Sequence, residues 1–297
     1  MDQARKIKTV ITPQPVMEGA GVRLKRSIAT RTLSELDPFL LFDHFGSENP
    51  DDYLAGFPMH PHRGIETVTY MLAGTVRHRD TLGNAGTIGP GDIQWMTSGR
   101  GILHEEMPQP SARLDGFQLW VNLPARLKMT APRYQDISAA KIPVWTGENG
   151  VTIRVIAGEV GGIRGAVTDI AADPTYLDIT LPANVAFRRS VPQGHAAFVY
   201  LFEGAGTFGI AEIGRRFRVG TEIVGARRRR LPRRPRGGKR RPISSRLRPA
   251  AQRADRPLRP LRHEHPGRDR RDPPRASRRN VHSMKRSIVQ CLVMEAK

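Results

Sequence analysis

HPHRGIETVTYMLAG at residues 60–74 and GPGDIQWMTSGRGILHEEMP at residues 89–108 carry both the strand signal and the chemistry of this chain. Each contains a short strand-like run, ETVTYMLA at 66–73 in the first, rich in Val, Thr and Tyr, and GDIQWM at 91–96 in the second. Runs of about 5 to 8 such residues, closed by Gly, Pro, Asn and Asp, read as strands. Working outward, the same texture holds from Ile7 to about Leu123, with further runs at 74–78 and 116–122. The turn signals LAGT, LGNAG, GPGD and SGRG return at roughly the 8–12-residue spacing expected of a β-barrel or sandwich, and no long amphipathic helix interrupts them. Residues 124–145 read as a polar connector containing Pro132 and Pro143, after which strand-like runs resume at 151–156, 176–181 and 197–202.

A weak internal repeat links the two halves. With Gly74 aligned to Gly204, Tyr70 meets Tyr200, Val68 meets Phe198 and Leu72 meets Phe202. Two copies of one β-unit are a natural reading of that match.

The 297 residues carry a formal charge of +20, and the charge is localised. Residues 227–297 hold 25 Lys and Arg against 5 Asp and Glu, whereas residues 1–226 hold 23 of each. The expected folded body is therefore neutral and leaves no electrostatic footprint for specific nucleic-acid binding. The Arg/Pro/Gly-rich segment lacks the apolar content to offset chain entropy, so disorder is expected there, with non-specific nucleic-acid binding as a side effect. No run of about 18 apolar residues is present, so no membrane span is expected. Cys291 is the single cysteine, which excludes an intrachain disulfide and a thiolate metal site. With no apolar run in MDQARKIKTV, a cytoplasmic location is expected.

His60, His62, His104 and Glu106 stand out, as HPH and HEE. Residues i and i+2 of a strand point to one face, so each pair can converge on a point. Three imidazoles and a carboxylate suit a divalent first-row metal with open positions. Glu66, four past His62, has the same parity and is a fifth candidate. The plain alternative is a pair of surface or hydrogen-bonded His-X-His features. Gly99 and Gly101 suit a tight corner before His104, and no helix or Lys-Ser/Thr pair follows to make a phosphate loop. Trp95, Met96 and Phe45 read as barrel packing, with one or two of them expected at the mouth of the pocket.

HPHRGIETVTYMLAG and GPGDIQWMTSGRGILHEEMP, together with FDHFG at 42–46 and the run GFQLWVNLP ending at Pro124, resemble the pirin family of the cupin superfamily. The resemblance covers residue 7 to about residue 224. It implies an all-β bicupin, two β-barrels in tandem: a metal-binding barrel at 1–135, a metal-free and incomplete barrel at 136–225, and a disordered basic tail at 226–297. It also implies that His60, His62, His104 and Glu106 are the metal ligands, with Glu66 either supporting them from behind or playing a structural role. The repeat sets Ser190 and Pro192 where the first barrel has His60 and His62, so one divalent cation per chain is expected. Fe2+ is the first choice, with Mn, Ni, Co, Cu or Zn as alternatives. The activity implied is that of a quercetin 2,3-dioxygenase, which opens a flavonol ring with O2, with Glu106 as the catalytic base. The alternative is a non-enzymatic, redox-sensitive regulator acting through a protein partner.

The tail departs from the family. With permissible codons, residues 259–269 read one base later as Gly-Pro-Phe-Val-Met-Asn-Thr-Arg-Glu-Glu, which resembles the family's C-terminal signature. A one-base slip near residues 224–228 is therefore expected to have replaced the end of the second barrel.

Overall fold

Runs of β-branched and aromatic residues separated by left-handed glycines fold here almost entirely into antiparallel strands. The structure, a computed structural model, describes residues 6–170, 174–208, 215–218, 221–225 and 289–296. Strands β1 (Ile7–Ile11), β2 (Gln14–Glu18), β3 (Val22–Ile28), β4 (Phe39–Ser47), β5 (Phe57–His62) and β6 (Ile65–Ala73) lead the chain. They are followed by β7 (Val76–Asp80), β8 (Ala85–Ile88), β9 (Ile93–Thr97), β10 (Ile102–Pro108), β11 (Leu114–Asn122) and β12 (Arg133–Ile137). Then come β13 (Val144–Thr146), β14 (Thr152–Ala157), β15 (Glu159–Val160), β16 (Ile163–Arg164) and β17 (Thr175–Leu181). The last are β18 (Ala196–Glu203), β19 (Ala205–Phe208), β20 (Arg215–Arg218), β21 (Thr221–Gly225) and β22 (Val289–Ala296). Among the described residues, helix is confined to short 3-10 turns, and no helix is long and apolar enough to cross a membrane.

The first barrel has a seven-stranded sheet, in the order β12-β9-β6-β11-β4-β3-β2, facing a four-stranded sheet, β5-β10-β7-β8. The second is built on a seven-stranded sheet of order β1-β21-β18-β22-β17-β14-β13, with the small pairs β15-β16 and β19-β20. The two large sheets correspond position by position, and β6 and β18, the strands matched by the repeat, hold the same place. Gly74 and Gly204 end them with φ of +74° and +78°, the left-handed turn that glycine adopts at little cost.

The two units exchange strands. β1 pairs with β21 of the second sheet, and β12 pairs with β9 of the first. The expected division at 135/136 falls inside β12, and the polar connector supplies a strand: Tyr134 and Asp136 share the face that meets His78, and Ile137 on the other face packs against the core. The one core cluster that spans both large sheets includes Phe39, Phe42 and Phe117 from one barrel and Phe198 and Tyr200 from the other. Phe42 meets Phe198 and Tyr200 edge-on at centroid distances of 5.2 and 5.0 Å. The aligned tyrosines brace the barrels reciprocally. Tyr70 on β6 donates to Asp178 on β17 at 2.6 Å, and the Tyr200 hydroxyl on β18 meets His44 Nδ1 on β4 at 2.9 Å. Burial raises the pKa of Asp178 against the pull of that hydrogen bond.

The end of the chain differs from the expectation of a disordered tail. Val289–Ala296 forms β22, between β17 and β18, in the slot that β11 fills in the first barrel. VQCLVMEA has no basic residue and is apolar at both parities, the pattern of a central strand covered on both faces. Met294 and Ala296 are buried, and Glu295 accepts from Arg189 at 2.7 Å. The Arg-rich stretch at 226–288, on which the expected disorder and the slipped reading frame rest, lies outside the described residues.

Candidate metal centre

β5 and β10 are antiparallel neighbours, and their register sets the cluster. His104 pairs with His60, and Ile102 with His62. His60 and His104 thus stand opposite one another, with His62 two residues further on the same face. The corner before β10 requires glycine. Gly99 has φ +49°, and a Cβ there would sit 2.1 Å from the Thr130 carbonyl oxygen.

The three imidazoles converge, with ring centroids 4.8 Å apart for His60–His62, 4.5 Å for His60–His104 and 5.0 Å for His62–His104. One ring nitrogen from each lies within 4.8 Å of the others. The tautomer of His60 is set from outside the cluster. His60 Nδ1 donates to the Pro58 carbonyl at 2.8 Å, which directs the Nε2 lone pair inward, 3.0 Å from His62 Nε2. His104 Nδ1 lies 3.4 Å from the Tyr134 hydroxyl, and its buried Nε2 has no protein partner. Burial, reinforced by the neighbouring imidazoles, lowers the pKa of His62 to about 4 and of His104 to about 3. Neutral imidazoles are what a cation requires. Close nitrogens, the inward lone pair of His60 and the orphaned buried Nε2 of His104 fit a divalent metal ion.

Glu106 faces the same cavity but stands outside the set of atoms within 4.8 Å. A bulge between His104 and Glu106 shifts the register, so that Glu106 pairs with Phe57. Thr69 Oγ1 donates to Glu106 Oε1 at 2.8 Å and lies 2.7 Å from the side-chain oxygen position of Gln118. One hydroxyl proton cannot serve both; with the amide turned over, Gln118 donates to Thr69 and Thr69 to Glu106. Of the two roles expected for it, Glu66 takes the structural one. It is fully buried and accepts from Thr97 Oγ1 at 2.9 Å, on the side of β6 that carries Val68 and Tyr70. The turn at Arg63–Gly64, with Gly64 at φ +70°, breaks the alternation that parity counting from His62 assumes.

Sequence reasoning missed the groups behind the cluster. Tyr134 stacks on the buried His78 at 5.8 Å, and His78 Nε2 is 3.3 Å from Asp136 Oδ2. His78 stands opposite Glu106 across β7 and β10. Its alternation with Val76 and Asp80 was a readable sign of an inward face. Trp95 and Met96 are buried packing residues, and Phe45, one of the three, lines the cavity. That cavity is about 610 Å3, within the range of small-molecule sites. Leu24, Leu41, Phe57 and Trp120 form apolar walls, with His60, His62 and Glu106 among its polar groups. His62 meets Trp120 edge-on at 5.0 Å, and the buried Trp120 Nε1 has no protein partner.

Residues 21–121 match the model of the family described as Pirin. A pirin-like protein of Caulobacter vibrioides is 49% identical over 202 residues, 67% of this chain and 73% of that protein. Among solved structures, a Geobacillus kaustophilus protein superposes with a TM-score of 0.71 at 28% identity, covering 100% of this chain and 98% of its own. A quercetin 2,3-dioxygenase from Acinetobacter baumannii gives a TM-score of 0.67 at 35% identity, covering 75% of this chain and 80% of its own. Paired barrels, a three-histidine cluster in the first of them, and relatives this similar over this length make the chain a member of the pirin family of the cupin superfamily.

Proposed function

We propose that this chain is a metal-dependent dioxygenase that opens the central ring of a flavonol such as quercetin. The observation that carries this reading is that a three-histidine cluster, through His60 and His62, and Glu106 face one apolar-walled cavity of small-molecule size. The likeness to the Acinetobacter baumannii quercetin 2,3-dioxygenase supports it. In this reading His60, His62 and His104 hold the cation, Glu106 completes the set, and Fe2+ is the resident metal. A divalent cation there supplies Lewis acidity toward the flavonol hydroxyl and an electronic route between the ionised substrate and O2.

The protein's own groups do the rest. Leu41, Phe57 and Trp120 hold the flat aromatic body and exclude water. Glu106 takes the hydroxyl proton on Oε2, while Thr69 keeps Oε1 fixed. The reaction balances: both atoms of O2 finish in the ester product, and one ring carbon leaves with its oxygen as CO.

The test is oxygen consumption and CO release with quercetin by metal-reconstituted protein. Turnover is expected in the wild type, abolished in His62→Ala and strongly reduced in Glu106→Gln. Full metal occupancy without turnover would overturn the reading in favour of a metal-dependent regulator acting through a protein partner.

A further inference from the structure

One row of side chains crosses the large sheet inside the cavity. Thr69 on β6 stands opposite Gln118 on β11, Gln118 opposite Asp43 on β4, and Asp43 opposite Arg26 on β3. All four line the cavity, with Glu106 beside one end of the row and Glu18 beside the other. Neighbouring strands lie about 4.8 Å apart, so Asp43 is roughly 10 Å from Thr69, the residue that fixes Glu106.

The far end is firmly built. Arg26 Nε and Nη2 donate to the two oxygens of Asp43 at 2.8 and 2.7 Å, and Nη1 donates to Glu18 at 2.7 Å. An ion pair serving only to join β3 to β4 needs one carboxylate. Here two surround one guanidinium, and the Asp43 side chain is only 5% exposed. The walls nearby, Val22, Leu24 and Phe45, are apolar. A surplus of acceptors in an otherwise apolar chamber favours a ligand that brings donors and disfavours one that brings negative charge.

We propose that Glu18 and Asp43, held in place by Arg26, form a specificity subsite that accepts hydrogen bonds from the hydroxyls of an aromatic ring whose other end is held at the histidines. The subsite rests on the flavonol reading and narrows it to ring-hydroxylated, uncharged-ended substrates. A carboxylate at that end would face Asp43 and Glu18 and be rejected.

Anaerobic calorimetric titration of the Fe2+-loaded protein separates binding from turnover. The probes are quercetin and 3-hydroxyflavone, which shares the metal-directed hydroxyl and ketone but has no hydroxyls on its outer rings. Quercetin is expected to bind about tenfold more tightly, the ratio that one hydrogen bond to an ionised group commonly supports. Asp43→Asn and the milder, half-exposed Glu18→Gln should each shrink that ratio severalfold while leaving 3-hydroxyflavone affinity in place. Equal binding of the two probes by the wild type, or a ratio retained in both variants, overturns the subsite alone. Parallel loss of both probes in both variants also overturns it, as a structural effect. Failure of either probe to bind the wild type overturns the flavonol reading and the subsite with it.

Discussion

Tyr134→Phe isolates one hydroxyl behind the metal ligands. The phenylalanine ring keeps the stack on His78 at 5.8 Å, so packing is preserved. What is lost is the contact from the hydroxyl to His104 Nδ1, which fixes the ring so that Nε2 faces the cluster. Burial, with Asp80 and Glu106 adding, raises the pKa of the Tyr134 hydroxyl, which therefore acts as a neutral partner and not an anion. Partners of this kind are worth about 10–100-fold in metal affinity. At 3.4 Å the contact is long for a hydrogen bond, so the low end applies, about tenfold or 1.4 kcal/mol. The assay is competition for Mn2+ or Fe2+ against a chromogenic chelator at neutral pH, with thermal melting as the folding control. A tenfold weaker affinity at an unchanged melting temperature is expected. Wild-type affinity in the variant would refute the claim that Tyr134 positions His104.

Phe198→Ala should cost about 3–5 kcal/mol in denaturant unfolding, because Phe198 is buried between Phe39 and Phe42 at the junction of the two large sheets; a cost below 1 kcal/mol would mean that the junction does not hold the barrels. Removing residues 289–297 should yield aggregating protein, since β17 and β18 would lose the strand between them and expose two unpaired edges; soluble protein with unchanged melting would contradict the place of β22. Asp115 is buried, which alone would raise its pKa, but its bonds to His44 and Arg113 hold it below the usual carboxylate value. Its contribution is therefore complete above about pH 4 and lost as pH falls through the lowered folded value. Asp115→Asn should flatten the acid limb of stability measured between pH 5 and 2, and an identical limb would contradict this.

Much of the architecture was legible because it is local. Short β-branched runs and glycine turns mark the strands, and the Gly74/Gly204 alignment predicts the correspondence of β6 and β18 that the sheets display. The histidines were legible because His60 and His62 share a strand face, and so do His104 and Glu106. What stayed hidden depends on pairing between distant segments. The exchange of β1 and β12 joins residues more than 200 apart in one case, as in Ile11 with Glu222. β22 was masked by the Arg-rich composition before it. Tyr134, Thr69 and Gln118 come from separate strands and meet the site only through sheet order, while the turn at Gly64 placed Glu66 on the face opposite to the one its parity suggested.

Anomalous diffraction from crystals grown with Mn2+ or Fe2+ tests the metal centre most directly. A single peak per chain is predicted between His60 Nε2, His62 Nε2 and His104 Nε2, about 2.0–2.3 Å from each nitrogen, and absent in His104→Ala. A peak elsewhere, or none at saturating metal, would contradict it.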